Sequence, residues 1–144
     1  MYTLIQTLLA PILDTHLISA IAFLRIAMGL LSIGHGWPKI AGGRSTWNGL
    51  GKAIANVGIT FAYTFWGFLA AFTEFFGGIA LVLGLGTRVA TALLSITMLV
   101  AFVMHKKKGD PFMVYSFSLS LLVVYLFFMY VGSGPFSLDA YITN

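Results

Sequence analysis

Apolar positions run along this chain in four long blocks, covering about residues 17–34, 61–85, 88–104 and 111–131, with Arg25 inside the first and Glu74 interrupting the second. A helix crossing the hydrocarbon core of a bilayer needs about 20 mainly apolar residues, and each block is of that order. A transmembrane strand would instead alternate apolar and polar residues over about ten positions, and none of the blocks does so. The pattern predicts an all-α, integral membrane four-helix bundle occupying residues 1–144 as one domain.

The polar residues between the blocks punctuate them. Gly84-Leu85-Gly86-Thr87 is short and glycine-rich, which predicts a tight helical hairpin. His105 to Pro111 ends one helix on basic residues and opens the next on Asp110 and Pro111. The stretch from His35 to about Thr60 is longer. Within it Trp47, Leu50, Ile54 and Val57 recur at helical spacing after Ser45 and Thr46. A short helix lying in the membrane interface, anchored by Trp47 and Lys52, is expected there. Residues 132–144 are polar enough to leave the bilayer. Asp14 and His16 read as cap and interface residues ahead of the first block.

Composition strengthens the membrane reading. The chain is 59% hydrophobic and 8% charged, whereas soluble domains carry about 25% charged residues. Such a surface has to face lipid. Cysteine is absent, which excludes thiolate metal sites, iron–sulfur ligation and disulfide exchange by this chain. The net charge of +4 forms no aromatic-interleaved basic patch, so nucleic acid is set aside. Lys39, Arg44, Lys52 and Lys106–Lys108 fall in the first and third loops, which share one side of the membrane. The opposite side holds only Arg88. The positive-inside rule then places loops 35–60 and 105–111 in the cytoplasm. The first block lacks a basic leader and a small-residue cleavage site, so it is expected to stay in the mature protein.

Two charges lie within the blocks. Counting from the helix ends at His35 and Thr64, Arg25 and Glu74 each sit about 15 Å deep. An unpaired charge at that depth costs on the order of 3 kcal/mol or more. An Arg25–Glu74 ion pair, or a hydrogen-bond network shared by the two, is therefore expected. Gly67, Ala70, Ala71, Gly77 and Gly78 share the face of Glu74, and Ala22, Gly29 and Ser32 share that of Arg25. Small faces permit close helix approach, so the two charges should meet inside the bundle. The competing reading is that the pair only fixes helix register.

His35, Lys39 and His105 stand at helix ends on the lysine-rich side. Histidines there can move protons or contact a quinone headgroup, or simply anchor helix ends beside lipid headgroups. Bis-histidine haem ligation is the weaker reading, because haem between membrane helices draws its ligands from deeper in the bundle. No cluster suggests a metal. Arg88 and Asp139, both on the opposite side, are expected to form a structural ion pair tying the tail to the second loop. Tyr115, Ser116, Ser118, Ser120 and Tyr125 either line a site or join helices.

The segments LRIAMGLLSIGHGWPKIAGG (24–43), TEFFGGIALVLGLGTRVA (73–90), MLVAFVMH (98–105) and GSGPFSLDAY (132–141) resemble the DoxX family of small bacterial membrane proteins. The family's pattern falls here on Arg25, His35, Lys39, Glu74, Arg88, His105 and Asp139. The tail departs from the frequent Gly-Pro-Gly-x-x-Ser spacing. The resemblance implies a four-helix bundle in the bacterial plasma membrane and, more loosely, membrane redox complexes: relatives are linked to a terminal quinol oxidase and to thiosulfate:quinone oxidoreduction.

Three functions follow as expectations. The first is a redox-complex component that engages quinone, with Arg25 and Glu74 as polar centre and His35, Lys39 and His105 at its mouth. It would work with a partner protein or as a homo-oligomer, and no cofactor other than quinone is suggested. The second is a non-catalytic scaffold or assembly subunit of such a complex. The third is a small-solute or proton pathway.

Overall fold

The computed structural model describes residues 2–143, with side chains described from Thr15 onward; the side chain of Asp14 lies outside the described residues. The order of elements is α1 (Tyr2–Ala41), α2 (Gly43–Gly51), a 3-10 helix (Lys52–Val57), α3 (Tyr63–Leu83), α4 (Thr87–Lys108), α5 (Phe112–Val131) and α6 (Leu138–Thr143). Four stretches are long and apolar enough to cross a membrane: Thr15–Ala41, Tyr63–Leu83, Thr87–Lys108 and Phe112–Val131. The chain is an all-α bundle of four candidate spans.

Its polarity is inverted relative to a soluble domain. Arg25, Ser32, Thr73, Glu74, Thr91, Ser95 and Ser118 are buried, while Phe23, Phe65, Val89, Ile96 and Val123 are more than half exposed. Apolar side chains facing outward suit hydrocarbon, where the polar groups must find partners inside. Met28, Leu81, Leu94, Met98, Leu121, Tyr125 and Phe128 form the core.

Glycine decides where the helices touch. Gly29 and Gly78 cross backbone to backbone: a methyl on either would stand 2.7 or 2.8 Å from the other's carbonyl oxygen. Gly36 does the same against Phe75, whose amide nitrogen would lie 2.5 Å from an added methyl. This is the small-residue packing that membrane helices favour. It also explains why α1 runs past Gly34, where the sequence suggests a stop, to Ala41. In the bundle, Gly36 is a contact point, and Pro38, in the last turn, leaves the Gly34 carbonyl without its helical donor but breaks no turn beyond it. The hairpin at Gly84–Thr87 is as expected, with Gly84 (φ 67°) and Gly86 (φ 56°) in the left-handed region.

A helix does form in the first loop, starting at Gly43 rather than at a Ser45 cap. Thr46 lies inside it and donates back to the Gly42 carbonyl at 3.1 Å. It is docked on α3. A side chain at Gly51 would overlap the Tyr63 carbonyl, and one at Gly67 would overlap that of Trp47. Trp47 packs edge-on against Phe68 with centroids 4.9 Å apart, and its indole N–H donates to the Lys39 carbonyl at 3.0 Å. The α2 helix therefore covers the end of α1 and fixes where Lys39 stands.

Candidate functional site

In the lysine-rich half of the bundle the four long helices enclose a cavity of about 170 Å³. Helix α1 contributes Ser32, His35 and Lys39, α3 contributes Glu74, α4 contributes His105, and α5 contributes Ser118 and Tyr125. Met98, Phe117 and Leu121 complete its apolar surface. Glu74 lies mid-helix in α3 and is 3% exposed. Its Oε2 accepts a hydrogen bond from Lys39 Nζ, forming an ion pair. The lysine side chain remains 30% exposed, so its stem leads from the charged end of the bundle to a buried acid.

Two hydrogen-bonded couples flank that pair. Ser32 Oγ lies 2.8 Å from the Met28 carbonyl, to which only the hydroxyl can donate. The 2.7 Å contact between Ser32 and Tyr125 must then have the phenol as donor. Tyr125 is 1% exposed, so its hydroxyl is committed to α1. At the other end of the cavity His105 Nδ1 lies 2.7 Å from Asp110 Oδ2. A carboxylate at Nδ1 holds the proton there and leaves Nε2 able to accept one. Lys108 approaches Asp110 at 3.9 Å. His35 meets the Phe117 ring edge-on at 5.4 Å.

Arg25 is absent from this cluster, and the expected Arg25–Glu74 pairing is corrected. Gly36 stands beside Glu74, and Arg25 precedes it by eleven residues, about 16 Å along the helix. Equal depth followed from ending the first helix near Gly34; its continuation to Ala41 shifts Arg25 to the opposite end of the bundle. There the guanidinium, 1% exposed, donates to the carbonyls of Leu81 at 2.5 Å, Val82 at 3.1 Å and Phe136 at 2.6 Å. The last carbonyls of α3 lack intrahelical partners and carry the negative end of its dipole. Arg25 satisfies them and ties down the tail.

The expected Arg88–Asp139 ion pair is also corrected. Among the described residues the two form none; Asp139 accepts instead from the amides of Gly86 at 2.7 Å and Thr87 at 3.2 Å. Its own amide donates to the Gly84 carbonyl at 2.9 Å. The free amides that open α4 hold a carboxylate in fixed geometry. Partial burial pushes the Asp139 carboxyl up, but the hydrogen bonds from Gly86, Thr87 and Ser133 outweigh it and hold the group below the usual aspartate value.

The model of the DoxX family matches residues 20–107, more than half of the 144 residues. The chain belongs to the DoxX family. No curated protein and no solved structure matches it. The matched part of this DoxX protein carries Arg25, His35, Lys39, Glu74, Arg88 and His105; the α5 wall with Tyr125, and the tail with Asp139, lie beyond it.

Within this DoxX protein the cavity gathers His35, Lys39, Glu74 and His105 and leaves out Arg25, Arg88 and Asp139. Ser32 was legible only as part of the face around Arg25. Ser118, Leu121 and Tyr125 recur at i, i+3 and i+7, an inward stripe on α5 that helical spacing could have singled out. Asp110 reads as punctuation before Pro111, although it also orients His105.

Proposed function

We propose that this DoxX protein binds the headgroup of a quinone in the Glu74 cavity, as the membrane subunit of a redox complex. The observation that carries the reading is the Lys39–Glu74 pair, its acid buried, facing a cavity at mid-bundle depth. Buried ionisable groups in a membrane helix are functional-site candidates because hydrocarbon penalises them so heavily. A quinone ring presents two carbonyl oxygens that need donors, and an apolar ring that suits Met98, Phe117 and Leu121. Lys39 is a charged donor for one oxygen. His35 and His105 add imidazoles, the side chain that commonly relays protons. Conversion to quinol takes two electrons, which a redox partner subunit would supply, and two protons, which His105 near the lysine-rich mouth and His35 beside Glu74 would pass inward. The positive-inside rule orients that mouth toward the cytoplasm of a bacterial plasma membrane.

A through-going solute or proton pathway is less well supported. Met28, Leu81, Leu94 and Phe128 pack together between the cavity and Arg25, so the polar lining ends at mid-bundle. Arg25 donates through both terminal nitrogens to carbonyls of α3 and the tail, which supports a structural role for it.

Quinone extracted from the purified protein, with titration of its tryptophan fluorescence by added quinone, tests the proposal. A saturable site that weakens about tenfold or more in Lys39→Met is expected, since a hydrogen bond to a charged group is worth about 1.5–3 kcal/mol. Absence of saturable binding would overturn it. A scaffold would retain complex assembly and activity in Glu74→Gln.

A further inference from the structure

The cavity has a second side, and it faces lipid. Helix α1 packs closely on α3, α3 on α4 and α4 on α5, but α1 and α5 make only sparse backbone approach. Among the described residues the Ser32–Tyr125 hydrogen bond and the His35–Phe117 ring contact span the gap between them. His35 lines the cavity and is nevertheless exposed. Its neighbour Gly36 stands beside Glu74 and Phe75, halfway along α3. An imidazole exposed at that depth would meet acyl chains, an unfavourable place for a polar ring unless it borders an opening. Phe117 opposite it is 49% exposed, and Leu31, one turn earlier on α1, is 50% exposed. The seam is thus apolar at its lips and polar just inside.

From this geometry we infer that the α1–α5 seam is a lateral portal, with the His35–Phe117 contact as its movable edge. The ligand it admits is an amphiphile with a compact polar head and a long apolar tail. The head reaches Glu74 while the tail stays in the bilayer. The identity of the head as a quinone ring rests on the function proposed above, whereas the portal rests on the seam. A cavity of about 170 Å³ accommodates a single ring and has no room for a long tail, so a tailed ligand must leave the seam parted. The Ser32–Tyr125 bond marks the deep limit of the opening. Phe117 has only two side-chain torsions to turn, so its swing involves no backbone change.

The absence of cysteine makes a clean test available. Leu31→Cys on α1 and Val124→Cys on α5, a partly buried residue two turns beyond Phe117 and outside the cavity lining, offer thiols on the two helices for a short bis-maleimide to bridge. Protein in phosphatidylcholine nanodiscs is mixed with either a decyl-tailed benzoquinone or the same ring carrying a methyl group instead. Bridging is expected to slow association of the tailed quinone by about tenfold or more and to leave the tail-less ring, which can enter from the lysine-rich mouth, unchanged. The same double variant capped with a monofunctional maleimide should bind both normally, which separates closure of the seam from damage to the fold. Equal association of both quinones after bridging would overturn the portal and leave the binding site standing. Failure of the unbridged protein to bind either one would overturn both.

Discussion

Breaking the Lys39–Glu74 pair from either side should have unequal consequences. Lys39→Met preserves the length of the stem and strands a carboxylate that is 3% exposed as a residue. Removing one partner of a buried pair costs about 3–5 kcal/mol in general. The destabilisation of Lys39→Met should be of that order, about 3 kcal/mol. Glu74→Gln strands the amine instead, but the Lys39 side chain is 30% exposed and can swing its charge to the headgroup region. That variant should lose only about 1–2 kcal/mol. Unfolding in mixed micelles titrated with dodecyl sulfate measures these differences. The reasoning is refuted if the two variants lose the same stability, or if Glu74→Gln is the more damaging change.

Other consequences can be checked with the same assay. Arg25→Met should destabilise the fold by about 2–4 kcal/mol, because the Val82 and Phe136 carbonyls lose this donor and Leu81 keeps only the Gly84 amide, while quinone affinity per folded molecule stays unchanged. Protease protection of residues 133–143 should fall as pH drops below about 4, since the Asp139 carboxylate is held below the ordinary aspartate value and its contribution is lost on protonation. Asp139→Asn should show weakened protection that no longer varies with pH. Gly51→Val should undock α2 from α3, seen as increased accessibility of Trp47 to an aqueous quencher. The same variant should loosen the end of α1 that carries Lys39.

The four helices and the glycine hairpin at Gly84–Thr87 were legible because membrane helices announce themselves by length and continuity. His35, Lys39 and His105 do line one cavity, but the longer α1 carries His35 away from the helix end to the depth of Glu74. The partner of Glu74 was not legible. Gly34, Gly36 and Pro38 carry the marks of a helix stop in water, yet Gly36 serves as the point where α1 touches α3. Seven further residues of helix move Arg25 one bundle-half away and bring Lys39 within reach. The Asp139 contact was missed for a related reason: charge matching points to Arg88, while the amides that open α4 carry no mark in the sequence. Tyr125 and Ser32 lie on different helices 93 residues apart, and their pairing depends on the crossing of α1 and α5.

Photoaffinity labelling with an azidoquinone, followed by mass spectrometry of the modified peptides, asks most directly whether the Glu74 cavity is a quinone site. Adducts are expected on the cavity-facing stretches around His35, Met98 and Phe117, and they should disappear when unmodified quinone is added in excess. Labelling spread along the outer apolar groove of Phe72, Phe76, Val89 and Leu93, and not competed by unmodified quinone, would contradict it.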